Sequence, residues 1–217
     1  MGVVASAAWQ ATVAGHFGFL EADFHLSVIA TDDSSNWETS VTYASDPVAV
    51  IVRYSVEFDR AEVELIRLVD GKVPRVPTFV HPDTRIDRAL LDILLLLRAP
   101  AEAEKLRQLG GLDSTSVDSS LAFQALALRR YGGDFLSGNC EVFKDFDSLI
   151  KARVAQDPQK LTIHLPEGTP QAEVEGWVAQ ARTVDPRVPV EVHFYRRPPP
   201  SKAPPKLRRK PSGGASE

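Results

Sequence analysis

From Trp37 to Val69 the chain reads as a series of strand-like runs separated by turn-forming residues, and the first of them, Trp37 to Ala44, alternates apolar and polar residues with a period of two. No other feature limits the fold as much, because a side-chain period of two suits a half-buried strand and not a helix. Trp37, Thr39, Val41 and Tyr43 share one face of a segment ending at Ala44, and Ser45-Asp46-Pro47 supplies a turn. Val48 to Phe58 is rich in β-branched and aromatic residues. Asp59-Arg60 reverses the chain into Ala61 to Val69, which Asp70-Gly71 closes. With a short strand at Phe24 to Ala30 and the polar turn Asp32 to Asn36, the pattern predicts an antiparallel meander of three or four strands.

On either side the period changes to that of a helix. Trp9, Val13, His16, Phe17 and Leu20 recur at helical spacing over residues 6–22, where Gly15 and Gly18 suggest one or two short helices. After the meander, Pro74, Pro77 and Pro82 mark residues 72–83 as an extended connector. Thr84 with Asp87 three residues on reads as the start of an apolar, buried helix from Arg85 to Arg98. Further helices are predicted at Ala101–Leu109, Ser116–Tyr131 and Phe143–Gln156. Strands first and helices afterwards define an α+β class, with helices packed on one face of an antiparallel sheet.

Beyond Pro158 a second pattern begins. Lys160 to Leu165 alternates, and Thr169-Pro170 caps a helix running to about Val184 with Val174, Trp177, Val178 and Ala181 as its apolar stripe. Val188 to Tyr195 alternates again, giving a small βαβ unit with parallel strands. The sequence thus divides into an α+β main domain at 1–156, a βαβ appendage at 157–195, and a proline-rich basic tail at 196–217 whose composition predicts disorder. An appendage of this size seldom folds alone, so docking on the main domain, completion of its sheet, or dimerisation is expected.

The charge is unevenly placed. The chain carries a formal −4, yet from Arg196 onward seven bases face one acid, a net of +6, which leaves −10 for residues 1–195. Its longest apolar run, Ile93 to Leu97, is too short for a membrane span, and the first residues carry no basic region of a secretory signal. A single cysteine, Cys140, cannot close an internal disulfide and suits a reducing compartment. Cytosolic residence away from membranes is the expectation.

Three groups of residues have chemical interest. Glu57, Asp59, Glu62 and Glu64 would share one side of a hairpin, joined by Arg53 and Arg67, and clustered carboxylates can hold a divalent cation for a metal-dependent hydrolase or nuclease. The Glu-x-Lys of the familiar metal nucleases does not follow, and a salt-bridged outer sheet face accounts for the same residues. His16, His25, His81, His164 and His193 have no ligand spacing, although His164 and His193 fall on the paired strands of the βαβ unit, opposite its apolar face. Cys140 would need a partnered histidine to act as a nucleophile, and a small semi-buried thiol is the commoner role. Phosphate loops and nucleophile elbows are missing, so no cofactor is expected. In the tail, Arg196, Arg197, Lys206, Arg208, Arg209 and Lys210 could contact nucleic acid or another anionic surface, but no aromatic residue interleaves them and the acidic body repels phosphate.

Phe17 to Phe24, Val41 to Ser45 and the Val48–Tyr54 strand, with Ala127 to Tyr131, Asp134 to Asn139 and Phe143, resemble a family of uncharacterised small bacterial proteins of actinobacterial type. The resemblance spans roughly residues 17–155 and rests on structural motifs, so no active-site residue carries over. It implies an immunity-like or defence-associated role, with stoichiometric binding in place of turnover. The leading expectation is therefore a non-enzymatic interaction protein, of immunity or adaptor type, whose acidic body covers a basic protein partner. The metal-dependent hydrolase and the tail-directed nucleic-acid binder are its alternatives.

Overall fold

A computed structural model describes residues 6–33, 38–55, 60–109 and 117–195. The chain divides into two compact units, with the division after Pro158. Unit 1 opens with helices α1 (Ser6–Phe17) and α2 (Phe19–Phe24), followed by strands β1 (Ser27–Asp32), β2 (Glu38–Ser45), β3 (Val48–Ser55), β4 (Arg60–Arg67) and β5 (Arg88–Leu90). Helices α3 (Leu91–Arg98), α4 (Pro100–Leu109), α5 (Val117–Tyr131), α6 (Gly133–Leu136) and α7 (Val142–Gln156) complete it. The five strands form one sheet in sequence order, each antiparallel to its neighbour. The α+β class holds, with strands preceding most of the helices.

The period-two pattern explains why one face of this sheet is apolar. Val41, Val52 and Val63 stand in register across β2, β3 and β4, and the next row is Tyr43, Val50, Leu65 and Ala89. All seven are buried. Helix α1 lays Trp9, Val13 and Phe17 into this core at i, i+4 and i+8, with the Trp9 ring 5.6 Å from that of Tyr54. Helix α5 adds Leu121, Ala125 and Leu128, while Phe135, Phe143 and Phe146 from α6 and α7 meet in tilted and edge-to-face pairs with ring centroids 5.9 and 5.0 Å apart. The buried amide of Gln124 donates to the Ala61 carbonyl at 3.0 Å, tying α5 to β4 through a satisfied polar contact. Between α5 and α6, a Cβ on Gly132 would lie 2.8 Å from the Leu128 carbonyl, so only glycine fits that approach.

The largest departures from the sequence reading lie at the starts of the first strand and of the helix after the proline-rich connector. The helix predicted from Arg85 begins at Leu91, and Arg88–Leu90 instead pairs with Glu64–Ile66 as a fifth strand. The cause is tertiary: the pairing covers the open edge of β4, and Arg88 reaches a carboxylate on that strand. Thr84 does not cap the helix. It closes a local turn with His81, donating its N–H to the His81 carbonyl and accepting the His81 N–H on Oγ1. The first strand begins at Ser27 and not at Phe24, because Phe24 packs edge-on against Phe19 at 6.2 Å within α2. His25, at φ 58°, then ends that helix, and the Leu26 N–H donates back to the Leu20 carbonyl.

Unit 2 is a βαβ unit: β6 (Leu161–Pro166), α8 (Gln171–Val184) and β7 (Val190–Tyr195), with β6 and β7 parallel and paired from Leu161↔Val190 to Pro166↔Tyr195. Leu165, Val174 and Val188 are buried. Trp177, expected in the apolar stripe, remains 46% exposed. Thr169 donates its hydroxyl to the Pro166 carbonyl at 2.7 Å, so it closes the preceding turn and does not cap α8. Among the described residues no helix is long and apolar enough to cross a membrane. The tail candidates Arg196, Arg197, Lys206, Arg208, Arg209 and Lys210 lie outside the described residues.

Candidate functional site

On the sheet face opposite the apolar rows, the in-register residues are Ser40, Arg53 and Glu62, then Thr42, Ile51, Glu64 and Leu90, then Ala44, Ala49, Ile66 and Arg88. Strand alternation thus places Glu62 and Glu64 together, as the sequence predicts. Their surroundings differ. Glu64 is only 6% exposed and receives two guanidinium groups, each from a diagonal position on a neighbouring strand. Arg53 donates through Nη2 to Oε2. Arg88 donates through Nε to Oε1 at 2.8 Å and through Nη2 to Oε2 at 2.5 Å, a bidentate fork. The remaining Arg88 Nη1 donates to the Pro74 carbonyl at 3.1 Å and so pins the proline-rich connector to β5. Glu62 is engaged separately, by Arg60 at 3.2 Å.

This geometry bears directly on the carboxylate hairpin. Glu57 and Asp59 lie outside the described residues. Glu64 could reach a cation only by releasing two arginines, leaving buried guanidinium charge uncompensated. No group of three or more His, Cys, Asp or Glu among the described residues could hold a metal ion. Arg67, expected to join the cluster, is corrected to the other face: position 67 shares parity with Ala61, Val63 and Leu65. It packs its guanidinium 5.1 Å above the Phe143 ring and donates through Nε to Asp87 at 2.6 Å. Arg85 joins the same Asp87 oxygen at 2.9 Å.

Cys140 borders this second cluster. Burial pushes its thiol above the ordinary value, the Arg67 charge opposing that shift only in part. A thiol held protonated is a poor nucleophile. Asp134 is the opposite case: hydrogen bonding to Arg98, at 2.6 Å from Nη2, holds its carboxyl below the usual range. That pair links the end of α3 to α6. In unit 2 the rings of His164 and His193 lie 5.5 Å apart across the paired strands, both exposed and opposite the apolar face as expected. His193 also meets Glu191 at 3.3 Å.

Two features lay beyond the sequence reading. A cleft of about 430 Å³ lies between the end of α2, the β2–β3 turn and the residues after α6, with Asp23, His25, Asp46 and Gly138 on its wall. Gly138 holds φ +92° there, its Cβ position 3.3 Å from Pro47. The second feature is β1. It sits at one end of the strand order, and all six of its residues are exposed. Nothing in Ser27–Asp32 signals an edge position, because strand order is set by long-range pairing. Comparison with known proteins returned no matching family model, no matching curated protein and no matching solved structure.

Proposed function

We propose that this chain is a non-enzymatic cytosolic interaction protein of immunity or adaptor type, which binds a basic protein partner with fixed stoichiometry. The observation that carries this reading is where the charges sit. Residues 1–195 bear a net −10. Arg53, Arg67 and Arg88 are withdrawn into clusters with only two carboxylates, Glu64 and Asp87. The surface that remains is therefore more acidic than the composition alone implies. Glu21, Asp33, Asp46 and Asp70 all stay exposed on unit 1. A net negative charge of this size steers an oppositely charged protein into contact and disfavours phosphate-rich partners.

The reading is tested by capturing the tagged chain from cells that naturally produce it, at low salt, with and without residues 196–217. Intact-complex mass spectrometry should then show one basic protein at a whole-number ratio. Recovery of the chain alone would count against the reading. So would catalytic turnover that survives purification and vanishes on one substitution.

A further inference from the structure

We infer that β1 is the edge on which this partner docks, taking an extended, cationic segment of the partner as a sixth strand. The inference rests on the reading of the chain as a binder of a basic protein, and it supplies the place and the mode.

An edge strand presents one row of backbone N–H and C=O groups to whatever strand arrives beside it. In this sheet β1 pairs with β2 alone, and its other side meets no further strand among the described residues. Proteins usually blunt such an edge with lysine, proline, a bulge or a covering element. Ser27–Asp32 contains no lysine, arginine or proline. Its apolar residues are open, with Val28 43% and Ile29 58% exposed. Its register steps from Val28↔Tyr43 to Ala30↔Thr42, so Ile29 is the extra residue of a bulge. A bulge bends the strand and discourages flat, indiscriminate stacking, yet leaves the segment on either side able to pair.

The charges around β1 select the occupant. Glu21 precedes it on α2 and Asp33 follows it, both exposed, while Asp23 on α2 is held by Arg129 at 2.7 Å. Acids thus bracket both ends of a strand whose middle is uncharged. An incoming segment with a β-branched centre and lysine or arginine at its ends would match both parts. A second copy of this chain would instead bring the same acids, on a body of the same negative sign.

The test is nuclear magnetic resonance of the full-length, isotope-labelled chain titrated with a synthetic peptide. The peptide alternates threonine and valine with two lysines at each end, and a twin carries glutamates in place of the lysines. The cationic peptide should shift the amides of Ser27–Asp32 and slow hydrogen exchange there at least tenfold. The glutamate twin should do neither. Ile29→Lys, at an exposed position, should weaken cationic binding at least tenfold while leaving the spectrum of the core unchanged. Shifts confined to residues outside β1 would overturn the docking edge while leaving the acidic-surface reading standing. Binding of neither peptide, with a basic partner still captured from cells, would also overturn the edge alone. If no basic protein is captured either, both readings fall. Protection of β1 that grows with protein concentration in the absence of peptide would make a second copy the occupant and overturn the inference.

Discussion

Replacing Glu64 by glutamine isolates the interaction on which the outer sheet face depends. The carboxylate accepts three charge-assisted hydrogen bonds, one from Arg53 and two from Arg88. Its side chain is 9% exposed, against 21% for Arg53 and 14% for Arg88, so water cannot readily replace it. Glutamine keeps the shape and one acceptor oxygen but turns an NH₂ group toward a guanidinium. Hydrogen bonds to charged groups contribute about 1.5–3 kcal/mol each, and removing one member of a buried pair costs about 3–5 kcal/mol. Allowing for the retained acceptor, the expected loss for Glu64→Gln is about 3 kcal/mol. For a unit of this size that lowers Tm by roughly 6–12 °C. Urea unfolding followed by tryptophan fluorescence measures it, with the m-value unchanged. Replacing all three residues with apolar side chains of similar volume should recover stability to within about 1 kcal/mol, since a buried ion pair seldom outperforms good packing. A loss below about 1 kcal/mol for Glu64→Gln would refute the reasoning. Loss of divalent-cation binding without loss of stability would refute it too, and would restore the metal-dependent alternative.

Other substitutions probe other parts of unit 1. Phe143→Ala, at the centre of the Phe135–Phe143–Phe146 cluster and beneath Arg67, should cost about 3–5 kcal/mol in the same unfolding assay. Gly138→Ala forces a side chain onto φ +92° and should cost more than about 1 kcal/mol. Arg98→Ala should lower stability by at most about 1 kcal/mol, because the pair with Asp134 is partly exposed. The folded-state pKa of Asp134 is depressed, so its contribution is full above the unfolded carboxylate value of about 3.9 and lost as pH falls through the lower folded value. The wild-type advantage over Arg98→Ala should therefore shrink in acid, which denaturant midpoints between pH 3 and 7 would reveal. Cys140, its thiol raised by burial, should react with maleimide at pH 7 more slowly than free cysteine.

Much of this fold was written locally. The rows Val41–Val52–Val63 and Tyr43–Val50–Leu65 fit a side-chain period of two along strand-like runs joined by short turns, and the parallel βαβ unit follows from two alternating runs around a well-punctuated helix. What alternation could not supply was pairing at a distance. Arg85 to Leu90 has the apolar pattern of a helix start, yet Arg88 is drawn into a strand by a carboxylate 24 residues earlier. The same partnership changes the meaning of the hairpin acids. Read along the chain, Glu62 and Glu64 are a carboxylate cluster. In space, Glu64 is the buried anchor of two arginines and Glu62 a paired surface residue. The placement of Arg67 was legible, since an odd-numbered position on β4 must share the face of Val63 and Leu65. The exposure of β1 was not, because a strand does not encode in its own residues which neighbours the rest of the sheet will leave it.

The central claim is that an acidic surface recognises a basic protein with fixed stoichiometry, and its most direct measure is the salt dependence of the captured complex. Dissociation constants determined by titration calorimetry at 50 and 300 mM NaCl should differ by at least tenfold, at an unchanged whole-number ratio. An affinity indifferent to salt, or a fractional ratio accompanied by conversion of the partner, would contradict the account.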